Sequence, residues 1–558
     1  MLSGAPLLAL SLLVALEPVL VDTADLYGHR LLLGRDGSPR VALGVDSGRD
    51  SVTLESGAGL RLTGRRAAGQ EAVSVDLPPR ARFLRTGGRE ARQRYAVAVA
   101  ALEGAERSQR HDEVARWRAR GERASARDVG LVFGLSGVLI DNRATLVLVR
   151  NGASRHQAEQ AARELHDRDG VATSVVPLVQ TLPELQLEVR AGESTLRFIG
   201  TINVVARDGG EISVDGISEG PKKKIGSRTY PGAIALAPDA SGRIAVVNLT
   251  AVDEILKGVV PSEMFGSAPL EALKAQAVTA RGAVFAKLGR RHFADPYVLC
   301  NTEHCQVYGG SRAHHPAASR AVDETRGELM FLAGQLVDSV YSSTCGGHTE
   351  DAEVAWDMPP KGALRGRRDG PSAADDLARR VAPFEDGVGD ASLDGEATDL
   401  SNEQHLRQFL AEPPTSYCAR STRVRADKLR WTRRIASDEM DRLLFKYGVG
   451  HVQAIEVQGR GVSGRVRGVR IVGDQQRVVI QREWPVRQAL GLLNSGAFVV
   501  DEERDAKGVL TAFLFRGMGW GHGVGMCQIG AIGMAEAGQN YRAILEHYYN
   551  GAQVRSLY

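Results

Sequence analysis

One glutamate is marked out by its neighbours. Glu263 lies in Pro261-Ser262-Glu263-Met264, with Val259 and Val260 before it and Phe265 after it. A carboxyl among apolar groups loses solvation of its charged form and can carry a proton near neutral pH. Such a group can serve as general acid toward a glycosidic oxygen. Taken alone, a glutamate in a short connection between two elements is more simply a charge at a helix end.

A second set of residues has the chemistry of a metal centre. Cys300-Asn301-Thr302-Glu303-His304-Cys305, preceded by His292, offers two thiols and two imidazoles over a short span. That set suits tetrahedral zinc, and four protein ligands leave no open position for water, so such an ion would be structural. His314, His315 and His522 are alternatives to His292 as the fourth ligand. A Cys300–Cys305 disulfide is the competing reading for an exported chain, and free thiols are a third.

Two further runs read as ligand-facing loops. Ser342-Ser343-Thr344-Cys345-Gly346-Gly347-His348-Thr349-Glu350 places hydroxyls around paired glycines, which let backbone approach a ligand closely. Cys345 beside His348 is only a faint hint of a thiol nucleophile. From Arg516 to Gln528 glycine recurs at alternate positions, which excludes an ordinary helix. There is no G-K-[ST] to make this a phosphate loop. Trp520 offers a face for stacking on sugar and His522 a polar contact.

The elements that must position these residues are partly legible. Ser267 as N-cap, Pro269 in the first turn and Glu271 near the positive helix end predict a helix over 270–288. Leu270, Leu273, Ala277, Ala280, Val284 and Leu288 form its apolar stripe, leaving Lys274, Gln276 and Arg281 for other faces. Gln276, Arg281, Ser343, Gly346, Gly347, Thr349, Trp520 and His522 are the candidates for ligand contact, in a groove that only the family resemblance given below identifies as one for saccharide.

Upstream, Thr145 to Val149 reads as a strand, Ser154 opens a helix to His166, Gly170 stops it, and Ala172 to Val179 returns as a strand. This stretch resembles a SPOR domain, a module that binds peptidoglycan; a generic βαβ spacer fits it equally well. Five segments follow: 1–24 as a signal peptide, 25–105 as a β-rich unit, 106–140 as a charged helix or linker, 141–190 as the βαβ unit, and 191–558 as one large mixed domain. Within the last, 360–400 is poor in apolar residues and reads as a surface insertion. The fold class is α+β.

Composition narrows the function. In 558 residues, 70 Lys plus Arg nearly balance 67 Asp plus Glu, leaving +3. That evenness argues against a nucleic-acid partner held by bulk charge. Five cysteines exclude a disulfide-dense scaffold. The uncharged run Leu7 to Leu16 is too short to span a bilayer and has the length of a signal-peptide core, although no Lys or Arg precedes it. Export to the periplasm or cell envelope is the expectation, with no transmembrane segment.

Read together, "LKGVVPSEMFGSAPLEALKAQAVTARGA", "LCNTEHCQVYGG", "STCGGHTE" and "GMGWGHGVGMCQIGAIGMAEAGQNYRAILEHYYNGAQV" resemble the SpoIID/LytB family, stage II sporulation protein D and its amidase-enhancer relatives. The resemblance spans about residues 200 to 558 and leaves the first 190 outside. It implies a SpoIID-like catalytic domain and lytic transglycosylase action on peptidoglycan glycan strands, preferentially those without stem peptides. It assigns the catalytic acid to Glu263, and zinc in some members to the motif matched by Cys300, His304 and Cys305. The competing implication is a non-enzymatic protein that binds peptidoglycan and stimulates a separate cell-wall amidase. Three features depart from the family: Gly282-Ala283 where many relatives carry an aromatic, Cys527 where serine is more usual, and the long 360–400 segment.

Overall fold

Short alternating runs such as RVALGV and SVTLES become strands of one large sheet. The computed structural model describes residues 20–34, 36–67, 71–104, 107–219, 224–302, 304–305, 307–356, 358, 360–371 and 399–558. Residues 1–19 of the expected signal segment (1–24) and most of the expected insertion (372–398) lie outside the described residues. Residues 20–24 do not behave as a cleaved leader: Val21 is buried and hydrogen-bonded to Asn203, and Thr23 starts the helix Thr23–Tyr27. The chain divides into two compact units. The first comprises 1–133, 143–258 and 287–313; the second comprises 134–142, 259–286 and 314–558. Strands and helices are both abundant, so the chain is α+β.

The first unit is built on the large sheet. Its central neighbours are Pro39–Arg49, Ile244–Ala251, Ala233–Pro238, Ser194–Ala206, Glu184–Ala191 and Arg80–Arg89. Ala233–Pro238 is buried throughout, which explains its unbroken apolar sequence, whereas the outlying Ala72–Leu77 shows the alternation of a half-exposed strand.

The segment 92–181 is inserted between two adjacent strands of that sheet. Arg80–Arg89 and Glu184–Ala191 pair antiparallel with Arg89 opposite Glu184, so the chain leaves and re-enters at one point. The insert contains a four-stranded sheet in the order Ser174–Thr181, Arg92–Glu103, Ala144–Ala153, Ser125–Val129, and a separate hairpin, Val132–Leu135 with Val138–Asp141. With the strands of that sheet, helices Arg107–Ala119 and Arg155–Asp169 make a β-α-β-β-α-β order around Val97, Trp117, Val147, Ala158 and Leu165, the hairpin standing between its two halves in the chain. The expected βαβ is thus the second half of a larger unit. Its first strand belonged, in the sequence reading, to the β-rich segment, and its first helix to the charged linker.

Local signals in this insert act as expected. Ser154 Oγ accepts the Gln157 N–H, Gln157 Oε1 accepts the Ser154 N–H, and Gly170 closes the helix at φ +67°.

The second unit holds three three-stranded sheets: Arg430–Ala436 with Leu510–Met518 and Phe498–Arg504, Val452–Val457 with Gly468–Gly473 and Arg477–Gln481, and Glu328–Leu332 with Gln335–Leu336 and Gln553–Ser556. Ile435, Met440, Val469, Phe498, Phe513 and Phe515 are among the residues of its main core. No helix among the described residues is long and apolar enough to cross a membrane.

The helix Leu270–Lys287 corrects the amphipathic reading. It is buried almost all round from Ala272 to Ala286, with Gln276 and Arg281 fully inside. Alanine makes this possible, because a helix with little side-chain bulk can be enclosed by neighbours on every side. Gly282 shows how tight the fit is: a Cβ there would lie 2.1 Å from Ser339 Oγ, which donates to the Thr279 carbonyl. An aromatic could not follow Arg281 without displacing that serine. Ser267 does not cap the helix; its Oγ accepts a bond from Arg423, and the Pro269 carbonyl takes the first helical bond from Leu273 N–H.

The start of the expected 360–400 insertion is also corrected. Leu364 and Asp369 are buried, and Leu400 at the far end is buried as well, so both ends are part of the interior.

Candidate functional site

Glu263 is the last residue of the helix Val252–Glu263, which continues through Pro261 rather than ending before it. The residue is partly exposed. Its carbonyl accepts a 2.8 Å bond from Gln528 Nε2, and the same amide nitrogen lies 3.3 Å from Gln276 Oε1. Gln276 is therefore a support beneath the glutamate and not a groove residue.

Gln528 also links Glu263 to the serine motif. It begins the helix Gln528–Glu536 directly after the strand Met526–Cys527, which runs parallel to Tyr341–Ser342. The next residue, Ile529, donates its N–H to the Ser343 carbonyl at 3.2 Å. Two consecutive residues thus hold the backbones of Glu263 and Ser343. Thr344 in turn exchanges both backbone bonds with Trp520.

The exposed part of the constellation is smaller than the sequence suggested. Trp520 is 39% exposed, and Ser343 and His522 are partly exposed. Lys428 places Nζ 3.4 Å from Ser343 Oγ and 5.1 Å from the Trp520 ring centre. Trp356 packs its ring 4.8 Å from that of His522, whose Nδ1 accepts the Val524 N–H. Lys428 and Trp356 were not anticipated, since nothing in the surrounding sequence distinguishes them from surface residues; Gln528 closes the glycine-rich run read from the sequence, but its role as a support was not anticipated.

Four other candidates are interior. Arg281 donates from its guanidinium to the carbonyls of Val322 and Glu328. Gly346 and Gly347 are buried, and a Cβ on Gly346 would come 2.7 Å from Gly519 N. Thr349 Oγ1 donates to the Arg367 carbonyl and accepts the Arg367 N–H. The alternate glycines admit the chain itself: Gly517 makes room for Trp431 and Gly523 for the Arg465 guanidinium. The steric reason for glycine was read correctly, but the close neighbour is protein.

Below the motif lies a charged interior. Burial pushes the Glu350 carboxyl up to about 7, against hydrogen bonding by Ser463 and the charge of Arg465. Burial also lowers His348 to about 4.

The Cys/His set gathers as expected within the first unit, with donor atoms of His292, Cys300, His304 and Cys305 within 4.8 Å of one another. His292 Nε2 lies 3.2 Å from Cys305 Sγ, and His304 Nδ1 lies 3.6 and 3.5 Å from the two sulfurs. Zinc bonds of about 2.0–2.3 Å at tetrahedral angles require donor separations of about 3.3–3.8 Å. The residues fit that ion. Asp295 holds His292 through Nδ1 at 2.9 Å, which fixes the ring for Nε2 ligation. Hydrogen bonds from Cys305, His292 and Thr302 hold the Cys300 thiol far below its ordinary range. All five cysteines, Cys300 and Cys305 among them, are free thiols in this structure.

Comparison with known proteins finds similarity over part of the chain. A model described as "Stage II sporulation protein" matches residues 240–332, and one described as "Domain of unknown function (DUF8618)" matches 350–525. An amidase enhancer of Bacillus subtilis is 27% identical over 54% of this chain and 40% of its own length. The stage II sporulation protein D of the same organism is 24% identical over 54% of this chain and 74% of its own. A Brachyspira hyodysenteriae protein is 28% identical over 58% of this chain and 72% of its own. Residues 240–332 thus match the SpoIID family, and the wider similarity is to proteins named amidase enhancer and stage II sporulation protein D, which supports SpoIID/LytB membership.

Proposed function

We propose that this chain is a lytic transglycosylase cleaving the MurNAc–GlcNAc bonds of peptidoglycan glycan strands, with Glu263 as its single acid and base. The observation that carries the reading is the placement of Glu263: partly exposed at a helix end, and tied through Gln528 and Ile529 to Ser343 and the Trp520 loop.

Protonated Glu263 donates to the glycosidic oxygen as the bond breaks through an oxocarbenium-like state. The carboxylate then takes the proton of the MurNAc C6 hydroxyl, whose oxygen closes onto C1 to give a 1,6-anhydro end. Water is not the nucleophile, so a second carboxylate is not required. Trp520 offers the stacking face for a sugar ring, and Ser343, Lys428 and His522 offer polar contacts beside it. Strands stripped of stem peptides suit this surface best.

His292, Cys300, His304 and Cys305 hold a structural zinc in this reading. With four protein ligands it braces the loop and takes no part in bond cleavage. The layout is an exported protein acting in the periplasm or cell envelope, with the inserted 92–181 unit as a SPOR-like glycan-binding module and the second unit carrying catalysis.

Digestion of peptide-free glycan strands tests the reading, with mass spectrometry of the products. Anhydro-ended fragments that disappear in Glu263→Gln are expected, a loss of about 10²–10⁴-fold in rate. Reducing ends would identify a hydrolase. Absence of products, with stimulation of an added amidase, would identify a non-enzymatic enhancer.

A further inference from the structure

Three of the five cysteines are not used by any of this chemistry, and they meet inside the second unit. Cys345 comes from the serine-glycine motif, Cys418 from the short helix Tyr417–Arg420, and Cys527 from the residue before the helix Gln528–Glu536. Asp369 joins them. All four side chains are fully buried, and their donor atoms lie within 4.8 Å of one another.

We propose that Cys345, Cys418, Cys527 and Asp369 form a second, wholly buried site for a zinc-class divalent cation. The Cys345 and Cys418 sulfurs are 3.8 Å apart, the edge of a tetrahedron with zinc–sulfur bonds of about 2.3 Å. Asp369 Oδ2 lies 3.1 Å from Cys345 Sγ, facing the sulfurs. Its other oxygen is turned outward, where Tyr548 donates to it at 2.6 Å and His547 Nε2 lies 3.6 Å away. One oxygen fixed by a neighbour and one aimed at the sulfurs is the geometry of a monodentate ligand with its supporting shell.

The surroundings also favour anionic sulfur. Backbone N–H groups of Cys345 and Gly530 point at Cys527 Sγ at 3.2 and 3.3 Å, and that of Gly347 points at Cys345 Sγ at 3.4 Å. Three thiolates and a carboxylate around a divalent ion leave a net negative charge that needs a nearby cation. Arg430 supplies one: its guanidinium is half-buried and donates to the carbonyl of Gly346, next to Cys345, and to those of Leu429 and Phe409. Without a cation at the centre, three thiols are enclosed against an acid.

The site bears on Glu263 through position alone. Cys527 immediately precedes Gln528, whose amide holds the Glu263 carbonyl, so a metal at Cys527 would anchor that support.

The test uses the full chain carrying Cys300→Ser and Cys305→Ser, which disables the first set. Reduced protein is loaded with zinc alone or cobalt alone, dialysed, and read by elemental analysis and by the thiolate-to-cobalt absorption band. The expected result is about one equivalent of retained metal per chain with a strong thiolate band. Adding Cys527→Ser or Cys418→Ala should abolish retention. Tyr548→Phe, which keeps all four ligands, should weaken it about 10–100-fold. A double-serine protein that is folded by circular dichroism but retains no metal overturns the proposal. So does retention unaffected by Cys527→Ser and Cys418→Ala, or a Cys345–Cys418 disulfide in the protein purified without reductant.

Discussion

Replacing Glu350 by glutamine isolates the energetic cost of a buried carboxylate. In the folded chain Glu350 titrates at about 7 because burial disfavours its charge, against an ordinary 4.5. Between those values the folded state binds more protons than the unfolded one, so stability falls as pH rises. The contribution is fully present below about pH 4.5 and is lost as pH climbs through 7. At about 1.4 kcal/mol per pH unit, the loss across the window is about 3 kcal/mol.

Glutamine does not titrate. It can still accept the Asp351 N–H through one oxygen, but its amide nitrogen replaces the oxygen that accepts from Ser463, at a cost of about 1 kcal/mol. Wild type should therefore be the more stable protein by about 1 kcal/mol near pH 4.5. The variant should lead by about 2 kcal/mol near pH 8.

The comparison must be made as a difference, because His348 masks the effect in wild type. Its neutral form is favoured by burial, so its contribution is present above about pH 6.5 and is lost as pH falls toward 4. Those opposing slopes cancel between about pH 4.5 and 6.5, whereas His348 is common to both proteins and drops out of the difference. Urea unfolding followed by tryptophan fluorescence is the assay, since Trp356, Trp431, Trp484 and Trp520 all lie in the second unit. A stability difference that moves by less than about 1 kcal/mol from pH 4.5 to 8 would refute the reasoning.

Gly519→Ala should cost about 3 kcal/mol in the same assay, because Gly519 has φ +76° and a Cβ would lie 2.7 Å from the Cys345 carbonyl oxygen. Arg281→Leu should cost about 3 kcal/mol by leaving the carbonyls of Val322 and Glu328 without their buried donor, a loss read as a lower unfolding midpoint. Trp520→Ala should leave the fold intact and weaken binding of glycan strands about tenfold in a pull-down titration, the loss of about 1.4 kcal/mol of stacking. A chelator with reductant should lower the stability of the first unit, and zinc should restore it, in wild type but not in Cys300→Ser.

Signals confined to a few neighbouring residues were legible in the chain. Ser154, Gln157 and Gly170 bound their helix because a cap needs only groups three or four residues apart. The Cys300-to-Cys305 loop with His292 was legible for the same reason: its donors are close in sequence and a short loop brings them together. Alternate glycines after Arg516 correctly excluded an ordinary helix, since that is a property of the local backbone.

What lies against each residue was settled only in three dimensions. Gln276 and Arg281 look like polar faces of an amphipathic helix, and it is Ser339, Gln528 and the carbonyls of Val322 and Glu328 that make them interior. The strand Arg92–Glu103 looks continuous with the sheet before it, yet its partners are Ala144–Ala153 and Ser174–Thr181. Cys345 and Cys418 are 73 residues apart and Cys345 and Cys527 are 182 apart, so no spacing rule could join them. Sequence encodes short-range geometry directly, whereas burial and long-range encounter depend on how distant segments fill one shared volume.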